Sequence, residues 1–175
     1  VRPRPRARRA VRDRRHARFL ISALQAAVFN EVLARRPLPI DAVEAGDVAV
    51  VQASGGLFVV EDLEREAPRA AAFEISATGP IFGTRVLEPT GAPAQREREA
   101  LVACGLEPDV TPVPPRGVLL RGARRPLRVP VSDASSDFDG AVLRLRFALP
   151  AGSYATVLIE ELLRPDDAAR ESGLL

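Results

Sequence analysis

The chain is poor in several residue types, and each shortage narrows what it can be. All 25 of its Lys-plus-Arg positions are arginine, and methionine and tryptophan are absent. Lysine and methionine codons are AT-leaning, so a GC-rich genome accounts for the first two absences without a functional reason. One cysteine, Cys104, excludes an internal disulfide and fits a reducing compartment. One histidine, His16, with no cysteine or carboxylate pair near it, makes no metal site and reads as a surface or capping residue. No P-loop or dinucleotide-type glycine fingerprint occurs, and no Ser/His/Asp arrangement can be built around His16. The longest apolar stretch, Phe19 to Leu33, is broken by Ser22, Gln25, Asn30 and Glu31, which argues against a membrane span. Aromatics make up 5%, so the core must be mainly aliphatic, and 46% apolar content over 175 residues suffices for one domain or a compact pair.

Charge is present but uneven. Net charge is only +2, yet nine arginines from Arg2 to Arg18 crowd the start, where Pro3 and Pro5 forbid a helix. Such a run is a solvated arm or a phosphate-contacting one. Arg121-Gly122-Ala123-Arg124-Arg125 is a second basic cluster. The first residue is valine, which fits a piece of a longer polypeptide.

In chain order, Asp13 can cap a helix running to about Arg36, with Phe19, Ala23, Leu24, Ala27, Val28 and Leu33 on its apolar face. Asp47–Gln52 and Leu57–Val60 predict a hairpin around Ser54-Gly55-Gly56. Glu61–Ala72 reads as a short charged helix interrupted at Pro68, and Phe73–Ser76 as a strand. Thr78–Gly83 reads as a tight loop that plugs Ile81 and Phe82 into the core. Ala94–Cys104 is an amphipathic helix whose run Arg96–Glu99 reads as a solvated face. Glu107–Pro115 is proline-rich and irregular. Val118–Leu120 and Leu127–Val131 are expected strands, and Ser132–Gly140 a polar loop. Its Asp133, Asp137 and Asp139 lack calcium-loop spacing and suit a turn. The tail from Arg164 is expected to be loose. The fold class is α+β, with a mixed, mainly antiparallel sheet.

The most informative stretch is the last. Ala141–Ala148 alternates apolar and charged residues, as a half-buried strand does. Pro150 stops it, Gly152 permits a turn, Ser153 is a good helix N-cap, and Leu158, Ile159, Leu162 and Leu163 fall at helical spacing. Tyr154 stands at the junction. It is either a core aromatic with a wet hydroxyl or a ring offered to a nucleobase at a helix N-terminus.

Four segments, in order, resemble the TruD family of tRNA pseudouridine synthases. They are Arg18–Gln25 with Phe29-Asn30; Thr78-Gly79-Pro80-Ile81-Phe82-Gly83 followed by Glu97–Glu99; Arg121–Leu127; and Leu149–Thr156 with Glu160-Glu161-Leu162. The resemblance covers residues 11 to 163. It implies an isomerase that converts uridine to pseudouridine in tRNA, at position 13 in bacterial members, with no cofactor or metal. It implies a cytoplasmic monomer with no membrane association. Residues 1–120 would be the family's insertion domain with its leading helix, and 121–175 the returning C-terminal segment of a pseudouridine-synthase-type catalytic module. The family's Gly-x-Lys-Asp-type and Phe-Gly-x-x-Arg-Phe-Gly-type motifs do not occur in the 175 residues. No catalytic residue is therefore assigned, and the nucleophilic aspartate is expected on a missing N-terminal part of the same enzyme. Tyr154 carries over as the substrate-binding aromatic. The alternatives are a non-catalytic RNA-binding module and an inactive fragment.

Overall fold

A computed structural model describes residues 14–108 and 120–163. The expectations for Asp13, the arginines before it, Val118-Leu119 and the tail from Arg164 lie outside those residues. By its contacts the chain divides into two compact units, Val1–Arg128 and Val129–Leu175.

The first unit runs α1 (Arg14–Ala34), β1 (Val48–Val51), β2 (Leu57–Val59), α2 (Leu63–Ala71), β3 (Ile75–Ile81), α3 (Gly91–Ala103) and β4 (Ala123–Pro126). The sheet order is β2-β1-β3-β4, antiparallel throughout. β3 changes neighbour along its length: Ile75–Ala77 pair with β1, and Thr78–Ile81 pair with β4.

Thr78-Gly79-Pro80 is thus strand, where a loop was expected. A proline is tolerated because the strand there is paired on one side only. A glycine is required because an added Cβ at Gly79 would lie 2.8 Å from the Phe29 ring. The second half of the basic cluster, Ala123–Arg125, expected between two strands, itself opens β4, with Arg121 and Gly122 just before it; Leu127 follows into the core, while Val129 and Val131 are exposed. Pro68 does not interrupt α2. It sits in the second turn, and the short helix is held by the Asp62 cap on the Arg65 N–H, the Glu66–Arg69 pair and the Ala72 N–H on the Pro68 carbonyl. Phe73 follows that helix with φ of 59°, so the strand starts two residues later than expected.

α1 buries Val28, Phe29 and Val32, whereas Phe19 is 68% exposed and Ala23 and Ala27 face out. An alanine-rich helix offers several apolar stripes of similar strength. The partner decides among them, here the bare Gly79 backbone that admits Phe29. By length and composition alone α1 could cross a bilayer; in this fold it packs on β3 and α3. One core gathers Val43, Ala49, Val60, Ala70, Ile75 and Ala77. A second joins Val28, Val32 and Ala100, with Phe82 and Leu101 against them.

In the second unit β5 (Ser132–Phe138) pairs with β6 (Leu143–Ala148), and α4 spans Ala155–Leu163. The polar stretch expected as a loop is mostly strand. Serines and aspartates lower strand propensity, but the cross-strand partners of β6 override it. The register shifts between Ser132 and Ser135, where Asp133 has φ of 52°, a bulge that absorbs an unfavourable residue.

Candidate nucleic-acid interface

The basic cluster on β4 divides by side. Arg124 turns inward: its side chain is 1% exposed and grips the Glu97 carboxylate with two hydrogen bonds, 2.7 and 3.0 Å. It also donates to the Thr78 hydroxyl at 3.0 Å and the Thr78 carbonyl at 2.9 Å, and that hydroxyl donates to the Val48 carbonyl at 2.6 Å. Burial pushes the Glu97 carboxyl above its ordinary value, against the opposing hydrogen bond and charge of Arg124. Arg124 is a buried brace between α3, β3 and β1 and is closed to phosphate.

Nor is Arg96–Glu99 a solvated face throughout. Arg96 is buried and reaches Glu44 at 2.7 Å, while Arg98 and Glu99 remain outside. Glu44 also lies 3.5 Å from Arg36, which makes a two-pronged contact with buried Asp47 at 2.8 and 3.1 Å. These partners are supplied by segments far away in sequence, so the run Arg96–Glu99 alone carries no sign of them.

Arg125 turns outward, its guanidinium 5.2 Å from the centre of the Phe29 ring. Gln25, one helical turn before Phe29, donates to the Phe82 carbonyl at 2.7 Å and the Arg121 carbonyl at 3.3 Å. The segments after β3 and before β4 meet through Thr84 and Arg121. A Cβ on Gly122 there would fall 1.9 Å from a Val86 methyl. The helix motif, the glycine motif and the Arg-Gly motif are therefore one assembly. The apolar-face amide Gln25 staples two backbones, whereas Asn30 is exposed. A cleft of about 210 Å³ beside this assembly is walled by Phe82, Val86 and Leu101 and carries Glu88, Glu97 and Glu107 against the single Arg98, a lining that is acidic on balance and does not suit a phosphate. Among the described residues no three His, Cys, Asp or Glu side chains gather as a metal would require.

In the second unit the turn between β5 and β6 is closed by Asp139, whose carboxylate accepts from the N–H groups of Ala141 and Val142 at 3.1 and 2.9 Å. Those bonds, with Arg144 at 2.8 Å, hold its carboxyl below the usual range. After β6, the Ser153 N–H bonds to the Pro150 carbonyl at 3.1 Å and Gly152 takes φ of 89°. α4 begins at Ala155, so Tyr154, and not Ser153, occupies the flanking position. Tyr154 is 73% exposed, and its carbonyl accepts the Val157 N–H at 3.1 Å. The ring is not part of its unit's interior.

An α+β chain whose glycine, arginine and glutamine motifs lock one sheet to one helix, with an aromatic at a strand-to-helix junction, has close counterparts. The sequence profile of the family described as tRNA pseudouridine synthase D (TruD) matches residues 6–162. A Geobacter metallireducens protein named tRNA pseudouridine synthase D is 47% identical over 163 residues, 90% of this chain and 39% of its own length. One of the same name from Thermus thermophilus is 43% identical over 149 residues, 84% of this chain and 40% of its own. A solved Methanosarcina mazei structure bearing the TruD name superposes with a TM-score of 0.63 at 22% identity, over 78% of this chain and 36% of that one, a likeness of fold. The chain belongs to the TruD family. It spans about two fifths of the length of the relatives it matches.

Proposed function

We propose that the chain is the C-terminal portion of a tRNA pseudouridine synthase, with tRNA as substrate and the remaining polypeptide of the enzyme as its partner. The observation that carries this reading is the family match across residues 6–162, where the relatives bear that name. Residues 1–120 serve as the insertion domain and 121–175 as the returning segment of the catalytic module. The nucleophilic aspartate belongs to the part of the family's length that these residues do not span.

Tyr154 stacks on the target uridine. A base acted on inside folded RNA must leave its stack, and an aromatic face in a pocket offsets that cost. The exposed ring at the entry to α4 supports this role. The test joins the chain to the N-terminal part of a relative and assays uridine isomerisation in tRNA. Turnover by the joined protein and its loss in Tyr154→Ala support the reading. A joined, folded protein that binds tRNA without isomerising it overturns the activity, and full turnover in Tyr154→Ala overturns the stacking role.

A further inference from the structure

Two groups of arginine stand apart in the first unit. Arg35, Arg36, Arg65, Arg69, Arg96 and Arg124 each have a carboxylate within ion-pair distance. Among the described residues, Arg18, Arg85, Arg121 and Arg125 have none, and all four are exposed. These four are scattered over more than 100 positions of sequence, yet the fold collects them. Arg125 lies over Phe29. The backbone carbonyl of Arg121 accepts from Gln25, one turn before Phe29 on α1. Arg18, seven residues before Gln25, is on the same stripe of that helix. Arg85 adjoins Thr84, which pairs with Arg121. At 1.5 Å per residue, the stretch of α1 from Arg18 to Phe29 is about 16 Å long.

Two further features set this stripe apart. Arg85 is held at φ of 62°, a conformation that disfavours an arginine, beside the junction of β3 and β4. Arg125 is held by its aromatic contact, so little of its side-chain freedom remains to be lost on binding. Guanidiniums without internal carboxylates, brought near one another on an exposed surface, match the oxygens of a phosphodiester chain, which carries closely spaced charge along its length.

We propose that Arg18, Arg85, Arg121 and Arg125 form a track for the RNA phosphate backbone on the first unit. The track rests on the reading of tRNA as substrate. It would position the RNA without reading its sequence.

The test measures binding of an unmodified tRNA transcript to the full chain across a salt series, for wild type, Arg18→Gln/Arg121→Gln, and the triple variant that adds Arg125→Gln. The double variant leaves the Phe29 contact intact, so a folding defect in the triple does not decide the result. Each arginine removed should flatten the slope of log affinity against log salt by about 0.7–0.9. Arg65→Gln, an exposed arginine elsewhere, should leave the slope unchanged. Unchanged slopes in a folded double variant overturn the track, as does a wild-type chain that ignores tRNA or prefers anionic phospholipid vesicles. The outcomes separate from those of the functional reading. Salt-steep binding that the double variant weakens, in a joined enzyme without turnover, sinks the activity and keeps the track; full turnover with unaltered slopes does the reverse.

Discussion

Phe29 touches most of what distinguishes the first unit. One side of its ring lies against the backbone at Gly79, and Arg125 covers it from outside. Gly79→Ala would put a methyl 2.8 Å from that ring, and overpacking of this kind costs about 1–3 kcal/mol; a denaturant melt should show the loss with little change in slope. The Arg124–Glu97 pair makes a sharper case. Glu97→Ala leaves a guanidinium buried without its counter-charge, at a cost of about 3–5 kcal/mol. Replacing both partners, Glu97→Leu with Arg124→Met, should be milder than Glu97→Ala, because no uncompensated charge remains; chemical denaturation of the variants checks the order. For Tyr154, stacking worth about 1–3 kcal/mol predicts a loss in kcat/KM of roughly five- to 150-fold in Tyr154→Ala of the joined enzyme, with most activity kept in Tyr154→Phe.

At the scale of elements, Asp139 governs the β5–β6 turn. Its folded-state carboxyl titrates below the ordinary value. Its contribution is therefore present above the ordinary carboxylate range and disappears as pH falls through that lowered value. Amide shifts of Ala141 and Val142 should report opening of the turn on acidification, and Asp139→Ala should mimic the acid state near neutrality. The elements that sequence reading locates well are those with local signals: α1, the β1–β2 hairpin, and the passage from β6 through Pro150 and Gly152 to α4. The ones it misplaces are set by distant partners. Thr78-Gly79-Pro80 has the composition of a loop and becomes a strand because Phe29 and β4 arrive from elsewhere. Ser132–Phe138 has no apolar alternation and pairs only because β6 lies alongside. The inward turn of Arg124 and Arg96 is invisible for the same reason: a charge's partner is a tertiary fact. Tyr154's place at the junction was legible, since proline, glycine and helical spacing mark it locally.

Across the whole molecule the two units differ in how much they bury. The first has two aliphatic cores. In the second, no described residue is fully buried, and Phe138, Leu143, Tyr154, Val157, Leu162 and Leu163 are more than half exposed. A two-stranded hairpin is marginal by itself. Hydrogen exchange of the 175-residue chain should therefore show β5, β6 and α4 exchanging well before β1 and β3; equal protection in both units would count against this division of stability.

The shared strand β3 also sets how the first unit comes apart. Ser76 and Gly79 are three residues apart, but one is pinned by a ribbon that arrives early in the polypeptide and the other by one that arrives some seventy-five residues after it. Peeling away the late ribbon would bare half of β3 and leave the other half fastened. A half-unzipped species of that kind would mark itself by amides of Gly79 and Ile81 that lose protection while that of Ser76 keeps it.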